Sequence, residues 1–205
     1  MNGKTMLPLL ALAALAACGG GDDAKNDSAN AAATDTATTS TAPAAPAAPA
    51  SAAPTVTDPQ IADIVVAANQ VDIDAGELAK TKSTSAPVKE FAQRMITDHS
   101  GVNKAASDLV GKLGVTPESN PTSQGLRDGG TKNLGELRGK SGAEFDRAYV
   151  DHEVAYHQAV LDAIDQTLIP NAQNAELKAL LQQTRPAVAA HLEHAKQLQS
   201  SLGKS

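Results

Sequence analysis

Apolar residues recur every three or four positions along most of the chain beyond residue 58, and no stretch alternates in the two-residue register of a strand. The first stripe, Ile61, Ile64, Val65, Ala68, Val71, Ala75, Leu78 and Ala79, predicts a helix from Asp58 to about Lys80, with Asp58 as its cap and Pro59 just inside. A second stripe, from Val88, Phe91, Ala92, Met95 and Ile96 to Val102, Ala106, Leu109 and Val110, predicts a helix from near Ser85 to Leu113, closed by Gly114. A third helix opens at Ser141-Gly142-Ala143-Glu144, a capping-box pattern, and continues through Phe145, Tyr149, Val154, Val160, Leu161, Ile164 and Leu168 until Pro170 stops it. The fourth spans about Asn174 to Leu202, with Pro186 predicting a kink.

Between the second and third helices, Val115 to Lys140 is rich in Gly and polar residues, with Leu126, Leu134 and Leu137 spaced for a short packed helix. The expected fold class is therefore all-α: a ferritin-like four-helix bundle with a long connection between helices two and three. With Phe91, Phe145, Tyr149 and Tyr156 as the only aromatics, the core must be mostly Ala, Leu, Val and Ile. An apolar patch around Ile61 and Val65 is expected at the surface.

The first 57 residues read differently. Lys4 precedes an apolar run from Met6 to Ala17, too short to span a bilayer but right for a secretory leader. Leu15-Ala16-Ala17-Cys18 resembles a bacterial lipobox, which implies removal of residues 1–17 and acylation of Cys18, the only cysteine. Several acyl chains make a firm membrane anchor. The absence of Asp directly after Cys18 resembles an outer-membrane address, giving an expected location on the periplasmic face of the outer membrane. Residues 18–57 are dominated by Ala, Pro, Thr, Ser, Gly, Asn and Asp, with proline every third residue from Pro43 to Pro49. Such composition predicts a disordered, extended tether behind which residues 58–205 form the folded domain.

Charge removes some functions. Residues 58–205 carry fifteen Lys and Arg against nineteen Asp and Glu, a formal charge of −4 without a basic cluster, so nucleic-acid binding is not expected. An acylated Cys18 leaves no thiol for a disulfide, a thiolate metal site or a nucleophile. No nucleophile-base-orienter constellation and no Gly-rich phosphate loop is legible.

Five ionisable residues fall where the stripes require apolar ones: Asp72, His99, Glu153, His157 and His191, at least one on each main helix. An unpaired buried carboxylate is costly, so these groups need partners. One solution is a shared transition metal, Zn, Fe, Cu or Mn, with Met95 one turn from His99 as a soft ligand for copper. The other is a buried polar network with Tyr149 or Tyr156 that fixes helix register. His152 and His194 fall at the stripe edges, and Asp74 to the side.

These residues carry a resemblance. Ala67 to Ala79, Val88 to His99, Phe145-Asp146-Arg147-Ala148-Tyr149 with His157, and Pro186 with His191-Leu192 resemble the bacterial domain-of-unknown-function 4142 family. The resemblance implies a ferritin-like bundle, exported and often lipid-anchored, but no established activity. Asp72 stands where that family usually has Glu. No Glu-x-x-His occurs in the chain, so a di-iron centre is not expected.

The leading expectation is a non-enzymatic, lipid-anchored module for envelope maintenance, stress tolerance or partner binding. The alternative is a metal-binding bundle for storage, buffering or redox. A hydrolase built on a buried Asp-His pair is the least favoured. Protein partners and oligomeric state are not legible.

Overall fold

The computed structural model describes residues 55–203; Cys18, the expected leader over residues 1–17 and the expected tether up to residue 54 lie outside the described residues. Among the described residues every regular element is helical: α1 Asp58–Lys82, α2 Ala86–Leu113, α3 Pro121–Arg138, α4 Gly142–Ala163, a π-helical turn Ile164–Leu168, α5 Ile169–Asn171 and α6 Ala175–Leu202. α1 and α2, joined by Ser83 to Ser85, form one hairpin, and α4 and α6 form the other. α1 also packs on α4 and α2 on α6, which closes a four-helix ring of ferritin-like connectivity. The long connection is itself the 18-residue α3, laid against α1.

The helix ends follow local chemistry, and three differ from the sequence expectation. Thr57, not Asp58, caps α1, through a capping box with Gln60. The Asp58 carboxylate instead accepts the backbone N–H groups of Gln173 and Asn174, both at 2.9 Å, and so pins the start of α1 to the start of α6. Ser141 precedes α4 but makes no side-chain cap, because Gly142 takes φ 52° and Glu144 pairs with Lys140 at 2.8 Å. Pro170 does not stop the helix before it. It has no N–H and crowds the carbonyl four residues back, and the chain relaxes into a wider turn in which the Ile169 N–H bonds the Ile164 carbonyl.

α3 was legible only as a hint because Gly125, Gly129, Gly130 and Gly135 weaken its helix propensity. Its start is fixed by Asn120, whose side chain accepts from the Thr122 and Ser123 N–H groups while Ser123 Oγ reaches back to the Asn120 N–H. Gly130 lets α3 approach α1 closely, since a Cβ there would stand 2.8 Å from a Val71 methyl. Arg127 grips Asp63 of α1 with two hydrogen bonds of 2.6 and 3.1 Å.

Two hydrophobic clusters fill the bundle. One gathers Phe91, Met95, Phe145, Tyr149, Ala195 and their neighbours. The other, at the opposite end, gathers aliphatic residues, among them Ile61, Val65, Ile164, Leu168, Leu181 and Val188. Ile61 and Val65 are thus core residues rather than a surface patch. No described helix is long and apolar enough to cross a membrane.

Candidate metal centre

Between the two clusters lies a polar layer. Asp72 comes from α1, His99 from α2, Glu153 and His157 from α4, and His191 from α6, and all five are buried, Glu153 completely. Glu153 and His157 are four apart, so one helix face presents both. The three imidazole rings form a triangle with centroids 5.2, 5.5 and 5.6 Å apart. His99, His157 and His191 each offer a ring nitrogen within 4.8 Å of the other two, and Asp72, Glu153 and His157 offer a second such group of three. His157 belongs to both, so the two groups adjoin at its ring.

Hydrogen bonding fixes what each ring turns inward. His99 Nδ1 lies 2.7 Å from Asn69 Oδ1; Asn69 spends its own N–H on the Val65 carbonyl, so His99 must be the donor. His157 Nδ1 donates to the Glu153 backbone carbonyl at 3.0 Å, and His191 Nε2 to Asp98 Oδ2 at 2.9 Å. Each ring has one N–H engaged on the outside. His99 Nε2, His157 Nε2 and His191 Nδ1 are left buried with no hydrogen-bond partner. Asp72 Oδ1 and both Glu153 oxygens make no aligned hydrogen bond either, although Glu153 Oε2 lies 3.3 Å from His157 Nδ1 and Asp72 Oδ2 lies 3.5 Å from His99 Nε2.

These six atoms share one buried layer, and the Tyr149 hydroxyl, close to Glu153, is likewise without a hydrogen-bond partner. Tyr156 donates instead to the Ala68 carbonyl. Even with protons on Asp72 and His157 as further donors, none of these atoms finds a hydrogen-bond partner, so the side chains as they stand do not form a closed polar network. The outer N–H of each ring held by a carbonyl or carboxylate is the arrangement that orients histidine toward a metal.

Electrostatics point the same way. Burial pushes the Asp72 carboxyl well above the usual carboxylate range, and the nearby Glu153 adds to it while His157 opposes. Burial and the neighbouring rings hold His99 neutral, down to about 3, and burial also lowers His191. For His157 burial is outweighed by the Asp72 and Glu153 carboxylates, which raise it to about 9. Without a cation, this layer retains protons in order to reduce its own negative charge.

A route from solvent exists: a groove of about 380 Å³ between α2 and α6 is lined by Asp98, His99 and His191 among others. Met95 packs in the aromatic cluster with Phe91 and Tyr149. His194, half-buried, sits edge-on against Phe91 at 5.1 Å, and His152 stacks on Tyr156 at 5.5 Å. Sequence reasoning passed over Asn69 and Asp98. Asn69 lies three residues before Asp72 on the same face, and Asp98 adjoins His99, but their value lies in cross-helix distances that spacing does not give.

A family model described as a domain of unknown function, DUF4142, matches residues 41–198, well over half of the chain. The chain belongs to that family. No curated protein and no solved structure matches it. Membership in the domain-of-unknown-function 4142 family covers the whole four-helix ring up to Leu198 and all five interior residues.

Proposed function

We propose that this protein is a lipid-anchored envelope protein whose helical domain binds one first-row transition-metal ion. The observation that carries the metal is the convergence of three histidine ring nitrogens and two carboxylates, each ring already held from behind. The residues fit a cation in number and chemistry: His99, His157 and His191 as neutral nitrogen ligands, with Asp72 and Glu153 supplying oxygen and charge. A divalent ion and two carboxylates balance, which removes the like-charge conflict between Asp72 and Glu153. Three nitrogens with carboxylate oxygen suit Zn, Fe or Mn better than a thioether-assisted copper site. Storage, buffering or redox are the roles open to such a centre, and no nucleophile beside it calls for a hydrolytic one.

Elemental analysis of the purified, untagged protein tests this, with His157→Ala as the control. About one metal per chain, lost in the variant, is the expected result. Metal absent after growth and reconstitution with Zn, Fe, Mn and Cu would leave the layer a purely structural one. The anchor rests on the lipobox at Cys18. Radiolabelled palmitate should be incorporated by the native chain and not by Cys18→Ser, and a soluble, unlabelled native protein would remove that part of the proposal.

A further inference from the structure

The aliphatic end of the bundle is not filled. A cavity of about 220 Å³ runs through it, walled by Ile64, Val65, Val160, Ile164, Leu181 and Val188 among others. Asp72 and His99 also line it, so one end abuts the polar layer. From the level of Ile64 to that of Asp72 the cavity follows α1 for about 12 Å, at ~1.5 Å per residue. Thr122 and Ala159, both exposed, mark where the lining reaches the surface between α3 and α4. Part of its wall, Ile164 and Leu168, belongs to the π-helical turn, and such turns concentrate at functional sites.

A volume of about 220 Å³ spread over that span leaves a narrow cross-section, the walls are mostly aliphatic, and the polar end offers acceptors. Asp72 Oδ1 and His99 Nε2 both lack a donor. A group of about the volume of a water molecule fills roughly 30 Å³, so the cavity takes a chain of about seven methylene-sized groups. Enclosed apolar cavities of comparable size accept apolar guests. We propose that the cavity binds an unbranched aliphatic molecule of about seven carbons ending in an O–H group, an alcohol or a protonated acid. The chain lies among the aliphatic residues, and the O–H donates to Asp72. The site shares Asp72 and His99 with the candidate metal centre.

The test is calorimetric titration of n-alkanols, from propanol to decanol, into the full chain carrying Cys18→Ser so that no acyl group competes. Affinity should rise about fourfold per methylene up to roughly seven carbons and then level off. Heptyl methyl ether, which keeps the chain and loses the donor, should bind about tenfold more weakly than 1-heptanol. Val160→Phe should abolish saturable binding; if it lowers the melting temperature, Ala163→Leu provides the second filling variant. No saturable binding at any length, affinity climbing steadily through decanol, or both filled variants binding like the native chain would overturn the proposal. His157 does not line the cavity, so His157→Ala should lose metal and keep heptanol, which separates a failure here from a failure of the metal reading.

Discussion

The two ends of this bundle are built from similar helices and packed in opposite ways. Around Phe91, Phe145 and Tyr149, rings stack or meet edge-on at 6.3 and 6.4 Å, and Phe91, Phe145, Ala92 and Ala195 have no exposed surface. At the other end, branched aliphatics surround an open volume and the helix widens into a π turn. The aromatic end holds the helices in position, and the aliphatic end leaves room beside the histidine layer. A site that needs both rigid ligands and access gains from being placed at the boundary between the two.

The largest expected effect lies at the rigid end. Phe91→Ala removes a ring at the centre of the aromatic cluster and should cost about 3–5 kcal/mol in denaturant unfolding. Enlarging alanines sharpens the contrast. Ala195→Leu, in the filled end, should cost about 1–3 kcal/mol, whereas Ala163→Leu, which lines the cavity, should be close to neutral. Equal costs for the two alanines would mean that the ends are packed alike.

The layer between them supplies the next effect, through pH. His157 rises to about 9 in the folded protein from an ordinary value of 6.5, so the folded state holds a proton that the unfolded chain releases. That contribution is fully present below about 6.5 and is lost as pH rises through about 9. Metal-free protein should therefore melt progressively lower between those limits. A metal must displace the same proton, so its affinity should climb by roughly tenfold per pH unit across this window for one proton released. The gap between metal-loaded and metal-free melting temperatures should widen with pH. A gap that does not change from pH 6.5 to 9 would mean His157 is not a ligand.

Much of this plan was readable from hydrophobic spacing. The helical stripes were long and regular, and a polar residue within a stripe of apolar neighbours stands out, which is why Asp72, His99, Glu153, His157 and His191 could be singled out together. Their convergence could not be read, because it depends on how far each helix is shifted along its neighbours. Helix ends were less legible, since Thr57 and Asp58 are both good caps and only the loop at Gln173 and Asn174 decides between them. The glycines of α3 hid a helix that is stabilised by packing rather than by propensity. The cavity leaves no trace in sequence: Ile, Val and Leu look the same whether or not the space between them is filled.

The smallest effect concerns α3, which touches the open end through Leu126. Arg127 and Asp63 clamp it to α1 through a two-pronged ion pair, yet the Arg127 side chain is 45% exposed. Solvent screening limits such a pair, and Arg127→Ala should cost no more than about 1 kcal/mol, less in high salt. Its consequence should be local: faster amide exchange across α3, with the amides around Phe91 and Phe145 unchanged. Thr122 and Leu126 of α3 border the cavity mouth, so heptanol should also enter and leave the variant faster at little cost in affinity. A loss of stability as large as that of Phe91→Ala, or exchange quickened at both ends alike, would mean that α3 braces the whole bundle and that the division into a rigid and an open end is wrong.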